Sequence, residues 1–411
     1  MIDWRRLLAL AAGAPVLALG RTTAAHAPPA GTFSIAPGQE FAANSYVHQK
    51  LPADAPIDRH SASYVRRFLL AAILALLSLR AYAFIQDGEF ANTFVNTPLA
   101  PNAPLDPNSA AIVAELVLNT PSGWIVDVVS GVPIYFVDET VPTVQIRGPE
   151  SVYKVPVEWQ LSAVPLPGSF EPAEGSDKSA IIYRPSTNEL WELWLAQPTE
   201  RTTVDSAGQI APEWSAAWGG HMTNVSGNPG YFLEDPNFPG LKWGYSATSV
   251  AGLGLVITIE EQRVGVINHA LGFATTTTSS DGFVFPAQRG DGWSPGALVK
   301  EGMIFRFPAS LDLDALGLTP YGLMIAKAIQ KYGMVVTDTA GWGFSAISAE
   351  GQGANYYPGW TDVYSDVGGI LGCRDLPPPE VDYQCWPDAG PGHLLDGIPW
   401  NQLQVIQPPA R

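Results

Sequence analysis

Short apolar runs separated by turn-forming residues recur along most of this sequence, and this pattern constrains the fold more than any other feature. Glycine (40 residues) and proline (37 residues) are scattered between the runs, as expected for many turns. The pattern predicts a mainly β protein, an antiparallel β-sandwich or jelly-roll-like domain with a few short helices. The segments that have the length and composition of single strands are 123–131, 132–139, 143–148, 153–159, 179–185 and 190–196.

Two segments depart from this pattern and predict helices. Thr258 is a suitable cap for a short helix over TIEEQRVGVI. Residues 320–333 place Pro320 near the first turn and Gly333 at the end. Their apolar positions fall on one side, at Leu323, Ile325, Ala326 and Ile329. The sequence has neither a glycine-rich phosphate loop nor alternating strands and helices, which argues against a nucleotide-binding α/β fold and indicates no cofactor.

Residues 1–27 have the features of a secretory signal peptide. Two arginines precede an apolar run, and the segment ends in the small-x-small sequence Ala25-His26-Ala27. The run is shorter than a membrane span requires, so no stable span is expected. The sequence therefore predicts a protein that is secreted to the extracellular space.

Residues 28–83 look like a partial duplicate of the start of the following domain. Residues 44–65 align without gaps on residues 92–113 at a constant offset of 48, and a second signal-like apolar run lies between them. We interpret the repeat as a copied signal and domain start. Two alternatives stay open. Either 61–83 is an ordinary helix, with Ser109 opening the equivalent helix of the second copy, or both apolar runs insert as a short membrane hairpin.

The rest of the chain divides into a β-rich globular domain, 84–372, and a proline-rich C-terminal tail, 373–411. The two cysteines, Cys373 and Cys385, both lie in this tail. In an exported protein such a pair would close a small loop, so we predict a disulfide. A zinc site would need more ligands than nearby His393 supplies, and no metal is predicted.

The charge balance limits the class of partner. The chain has 39 acidic and 22 basic side chains and a formal net charge of −17. Such a surface repels nucleic acid, anionic lipids and acidic polysaccharides. We therefore expect a neutral carbohydrate partner and no nucleic acid.

One carboxylate interrupts an otherwise apolar strand. In NELWELWLAQ, residues 188–197, strand alternation places Trp191 and Leu193 on one face and Glu192 and Trp194 on the other. In a cleft, an indole offers a flat apolar surface to a sugar ring, and a partly desolvated carboxyl group can protonate a leaving oxygen. The simpler alternative is that Glu192 is solvated on an ordinary strand, with Trp194 at its rim.

Further candidate groups lie in later segments. His269 falls on an apolar face, where a core histidine, a base at a cleft and a metal ligand all stay open. Arg289, Asp291 and Trp293 share a turn-rich loop of the kind that carries binding groups. Glycoside hydrolysis needs two carboxyl groups that flank the scissile bond. The carboxylates that could supply such a pair are Asp177, Glu192, Glu260, Asp291 and Asp338.

From these groups we select two sets of site residues. The catalytic candidates are Glu192, Glu260, His269 and Asp291. The substrate-binding candidates are Trp191, Trp194, Trp243, Arg289 and Trp293. The choice rests on the expectation that these groups converge on one open groove of the β domain.

Four parts of the sequence carry a resemblance to other proteins. They are APLDPNSAAIV at 103–113, YRPSTNELWELWLA at 183–196, INHALGFA at 267–274, and DLDALGLTP with AIQKYGMVVTDT within 312–339. These segments resemble segments shared by a broad group of secreted bacterial, especially actinobacterial, proteins. The resemblance covers roughly 95–345 and implies one continuous module with an export signal. It implies no activity and identifies no catalytic residue.

Two functions fit this sequence. The first is a secreted glycan-active protein that hydrolyses a neutral polysaccharide with paired carboxyl groups, a glycoside hydrolase-like activity. The second is a non-catalytic carbohydrate-binding or cell-surface structural module. The 13 tryptophans suit either function, and the sequence lacks the Gly-x-Ser-x-Gly, His-Glu-x-x-His and Cys-His patterns of other hydrolases.

Overall fold

The computed structural model describes residues 89–149, 154–174, 176–341, 343–351 and 393–408. All of them belong to one unit of the chain, Ala83–Arg411. The predicted signal segments, the duplicated start and the Cys373–Cys385 disulfide lie outside the described residues.

Fourteen strands and four helices make up the regular structure of the described residues. The strands are β1 (Trp124–Val132), β2 (Ile134–Phe136), β3 (Thr143–Val144), β4 (Val164–Pro165), β5 (Ala180–Arg184), β6 (Glu189–Trp194), β7 (Gln197–Val204), β8 (Ile210–Ser215), β9 (Trp218–Met222), β10 (Leu271–Thr275), β11 (Ile304–Arg306), β12 (Met334–Thr339), β13 (Ser345–Glu350) and β14 (Gln404–Ile406). The helices are α1 (Ser109–Leu118), α2 (Lys154–Gln160), α3 (Ile259–Val264) and α4 (Pro320–Tyr332).

Two larger sheets form the framework, and the predicted mainly β fold class is confirmed. One sheet has six strands in the order β1-β13-β10-β12-β11-β14, and the other has four in the order β2-β5-β6-β9. Most strand pairs are antiparallel, but β1–β13, β10–β12 and β2–β5 are parallel. β3–β4 and β7–β8 form two further two-stranded ribbons.

The strand that carries Glu192 is central in the smaller sheet. β6 pairs with β5 on one side and β9 on the other, both antiparallel. Trp191 and Leu193 pack into one apolar cluster, and Leu190 belongs to another. The predicted alternation is therefore confirmed, because β6 is covered on both faces.

The helices follow their predicted capping signals closely. Thr258 and Glu261 form a reciprocal capping box at the start of α3, and Gly265 ends the helix in the left-handed conformation. Pro320 begins α4, the Thr319 side chain accepts from the third residue of the turn, and Gly333 follows the last residue. α1 begins at Ser109, as the ordinary-helix alternative expects for the second copy.

One of the predicted strand assignments differs in the structure. Residues 153–159 are predicted as a strand, but Lys154–Gln160 is helical. Val157 and Leu161 are both buried four residues apart, which is a helical spacing, and proline is tolerated in a first helical turn. Segments 123–131 and 132–139 are both strands, but β1 and β2 lie in different sheets.

The larger sheet has two different faces. Alternate residues such as Val126, Phe273 and Ile347 join an apolar cluster that includes residues of α1 and α4. The residues between them on the same strands, such as Gly272 and Ala346, face a cavity instead. The helix-covered face packs into the main apolar core, and the opposite face borders the cavity.

Candidate functional site

A cavity of about 130 Å³ lies against the open face of the six-stranded sheet. Its floor consists of small residues, Gly272 and Ala274 of β10 with Ala346 and Ser348 of β13. Larger side chains at these inward positions would fill the space. The volume is well above what one water molecule needs, so the cavity can admit part of a ligand.

A bulge in β12 turns one carboxylate into this cavity. Phe273 pairs with Val336, but the next residue of β10, Ala274, pairs with Asp338. Thr337 is therefore an extra residue, and the strand changes register there. As a result both Thr337 and Asp338 border the cavity, although neighbours on a regular strand point to opposite faces.

Two more aspartates border the same cavity. Asp127 lies on β1, beside Ser348 of β13, and is half-buried. Asp177, in the loop before β5, is exposed. The indole nitrogen of Trp194 donates to Oδ1 of Asp177 at 3.3 Å. Three carboxyl groups from distant parts of the chain thus meet at one hollow.

The side chain of Tyr245 also lies at the cavity. A Cβ atom at Gly252 would approach its hydroxyl oxygen to 2.5 Å, so Gly252 makes room for the ring. Burial raises the pKa of Tyr245 well above its usual value, and the charges of Glu192 and Asp338 add to this effect. The phenol therefore stays protonated and is a hydrogen-bond donor.

The proton affinity of Asp338 differs from that of an ordinary aspartate. Burial raises its pKa to about 7, and the nearby charges of Asp291 and Asp177 act in the same direction. The backbone N–H of Thr339, 2.7 Å from Oδ1, and the charge of Arg289 oppose the shift. Near neutral pH Asp338 can both hold and release a proton, as a general acid or base must.

Glu192 is fully buried and does not border the cavity. Its Oε1 accepts from the backbone N–H of Gly252 at 2.7 Å, and its Oε2 accepts from that of Tyr245 at 3.3 Å. Burial raises its pKa to about 8, against the effect of these hydrogen bonds. Glu192, which is predicted to be catalytic, is therefore neither solvated nor at the cavity. Its position suits it to holding the 245–252 segment in place.

Arg289 holds residues 242–247, which overlap the start of this segment. Its guanidinium group donates to the backbone carbonyl oxygens of Lys242, Gly244, Ser246 and Ala247 at 2.7–3.1 Å. Four main-chain contacts leave this side chain little freedom to bind a substrate. The predicted substrate-binding role of Arg289 is thus replaced by a role in fixing the wall of the cavity.

The tryptophans predicted to bind substrate separate into two groups. Trp191 and Trp243 are each 1% exposed and stack on His221 and Trp218, respectively. They are core residues and offer no surface to a sugar. Trp194 is half-buried and does not border the cavity itself, but it contacts Asp177, which does.

Trp293 is the remaining predicted tryptophan. It is 58% exposed and lies two residues after Asp291 in the same loop. It does not border the cavity. Its surface is open to a ligand, but the structure gives it no contact with the three carboxyl groups.

The remaining catalytic candidates do not join the cavity. Nε2 of buried His269 lies 3.1 Å from the carboxylate of Glu261, and its Nδ1 donates to the carbonyl of Ala270. Burial opposes protonation of His269, but Glu261 and the backbone hydrogen bonds to Ala270 and Gly254 together outweigh it, and the pKa is raised. Glu260 is half-buried on α3 and does not border the cavity. The Glu261–His269 pair belongs to the core.

The shifted carboxyl groups predict an unusual dependence of stability on pH. Burial raises the pKa values of Glu192 and Glu301 to about 8 and that of Asp338 to about 7. Between their unfolded and folded pKa values, the folded chain holds protons that the unfolded chain has released. His269, whose pKa is raised, acts in the same direction, and buried His221, whose pKa is lowered, opposes it.

We therefore expect the free energy of unfolding to fall from about pH 5 to pH 8. Urea unfolding at one-unit pH intervals measures this directly. A free energy that stays constant or rises over this range would show that these groups are ordinary in the folded chain.

Sequence reasoning missed Asp127 and Tyr245. Asp127 stands inside the apolar run WIVDVV, which is the same signal that drew attention to Glu192. Tyr245 follows a Trp-Gly pair in a loop and carries no comparable signal. Among the described residues no group of three or more His, Cys, Asp or Glu side chains has the geometry to hold a metal ion.

Within the part of the chain that the structure describes, no helix has both the length and the apolar character that crossing a bilayer requires. Comparison with protein-family models, with curated proteins and with solved structures finds no match to this chain. The cavity and its carboxyl groups therefore carry the functional interpretation.

Proposed function

We propose that this protein hydrolyses glycosidic bonds of a neutral polysaccharide, with Asp338 as the general acid and Asp177 as the nucleophile or general base. One observation carries the proposal: the two side chains border the same cavity in different environments. Asp338 is half-buried with its pKa raised to about 7, whereas Asp177 is exposed. A carboxyl group that its surroundings keep protonated near neutral pH can act as the acid beside a second, exposed carboxyl group.

In this mechanism Asp338 protonates the glycosidic oxygen while the bond from that oxygen to the anomeric carbon breaks. The carboxylate of Asp177 either attacks the anomeric carbon or activates the water that does so. The hydroxyl of Tyr245 and the carboxylate of Asp127 provide a donor and an acceptor for sugar hydroxyl groups. The net charge of −17 favours an uncharged substrate.

The test is product formation on a panel of neutral polysaccharides, comprising glucans, xylan, mannans and galactan, with the purified full-length chain. We expect new reducing ends from at least one of them, and a rate that falls above about pH 7 as Asp338 loses its proton. Pull-down on the insoluble members distinguishes binding from turnover. Retention without product would contradict hydrolysis and favour a carbohydrate-binding module.

Trp194 is expected to supply the apolar surface for the sugar. Replacing Trp194 with Ala should raise KM about tenfold, which is the size of one lost aromatic contact. Trp194→Phe keeps a ring but loses the N–H that contacts Asp177, and it should recover part of the affinity. Trp159→Ala is the control, because Trp159 is 56% exposed on α2 and packs against Phe238, whereas Trp194 contacts the cavity residue Asp177. Equal KM values for Trp194→Ala and the control would exclude this role.

A further inference from the structure

A second pair of carboxyl groups lies beside Asp338, outside the cavity. The backbone N–H of Asp291 donates to Oε2 of Glu301 at 3.0 Å. The hydroxyl of Thr339 lies 3.3 Å from Oδ1 of Asp291 and 3.5 Å from Oε1 of Glu301. The two carboxyl groups therefore converge on the residue that follows Asp338 in β12.

The chain is shaped to allow this approach. Gly290 precedes Asp291, and a Cβ atom at Gly290 would come within 2.1 Å of Oε2 of Glu301. Glu301 is 2% exposed, whereas Asp291 is exposed. Two adjacent carboxylates, one of them buried, repel each other and cannot both ionise near neutral pH without a large cost.

We propose that Asp291 and Glu301 share one proton and are positioning residues that control the protonation of Asp338 from behind the cavity wall. In this arrangement Glu301 holds the proton and Asp291 keeps the negative charge. That charge favours the protonated form of Asp338, the form that a general acid needs. The consequence for turnover rests on the proposed function, but the control of Asp338 does not.

The surrounding charges are consistent with this assignment. Burial, the side-chain hydrogen bond with Asp291 and the charge of Asp291 raise the pKa of Glu301 to about 8. Asp338 faces Asp291 and Asp177, which favour its protonated form, and Arg289, which opposes it. Arg289 in turn faces Asp291, Asp338, Glu301 and Glu192. The positive charge of Arg289 limits how far these acidic side chains can raise one another's pKa values.

The experiment is a carboxyl-carbon NMR titration of the full chain labelled in Asp and Glu side chains. Spectra of Asp338→Asn and Glu301→Gln assign the two resonances. In Asp291→Asn we expect the titration midpoints of both Glu301 and Asp338 to fall by about one pH unit. Asp281→Asn is the control. It removes the same charge from an exposed position that contacts the same loop at Gly296, and it should leave both midpoints unchanged.

Unchanged midpoints of either residue in Asp291→Asn would overturn the proposal, and so would equal shifts in the Asp281→Asn control. Urea unfolding of each variant shows whether it is folded. If Asp291→Asn does not fold, the titration of Asp338 in Glu301→Gln tests the proposal instead. Asp291 is still present and ionised in that variant, so the midpoint of Asp338 should stay raised. A chain that hydrolyses no glycan but shows these shifts would refute the proposed function alone.

Discussion

The Asp338→Asn variant is expected to lose hydrolytic activity, with kcat about 10²–10⁴-fold below that of the wild type. Asparagine has nearly the same shape and keeps the oxygen that accepts from the Thr339 backbone N–H. It cannot donate a proton to a leaving oxygen. The loss should therefore appear in kcat, with KM little changed and the free energy of unfolding close to that of the wild type.

Asp314→Asn is the matched control for this substitution. Asp314 lies away from the cavity, and its side chain is 70% exposed beside Lys327. Its kcat should equal that of the wild type. If Asp338→Asn retained activity within a factor of about three, Asp338 would not be the general acid.

Glu192→Ala is expected to lower the free energy of unfolding by about 3 kcal/mol. The substitution leaves the buried backbone N–H of Gly252 and the partly buried one of Tyr245 without their acceptor. It also opens a cavity at a position that is 0% exposed. Urea unfolding measures the loss, and Glu200→Ala, on an exposed position of β7, should change the value by no more than about 0.5 kcal/mol.

Comparing kcat with stability separates the two possible roles of Glu192. A general acid at this position would lose nearly all activity in Glu192→Gln without losing stability. A residue that holds the 245–252 segment would lose stability in Glu192→Ala and reduce activity only through the displaced cavity wall. A loss below about 1 kcal/mol in Glu192→Ala would contradict the structural role.

Local sequence signals correctly predict those features of the fold that depend only on residues close together in the chain. The β5–β6 hairpin, the capping box at Thr258 and the start and end of α4 follow from neighbouring residues alone. α2 was missed because its seven residues give too short a pattern to separate a helix from a strand. The parallel pair β1–β13 joins segments more than 200 residues apart, and no local pattern specifies it.

The candidate site was only partly predictable for a related reason. Asp177 and Asp338 were both among the candidate carboxylates, but strict alternation from Met334 and Val336 would turn Asp338 toward the helix-covered core. The bulge at Thr337 reverses that direction, and a single sequence carries no clear signal for a bulge. Glu192 was correctly identified as an unusual carboxylate, but its hydrogen bonds come from a segment more than 50 residues away.

The most direct test of the central claim is a crystal structure of the full-length Asp338→Asn chain soaked with neutral oligosaccharides. Our account predicts a sugar bound at the cavity, with its glycosidic oxygen in hydrogen-bond reach of residue 338 and its anomeric carbon toward Asp177. Oligosaccharides that bind only elsewhere, with this cavity unoccupied, would contradict it.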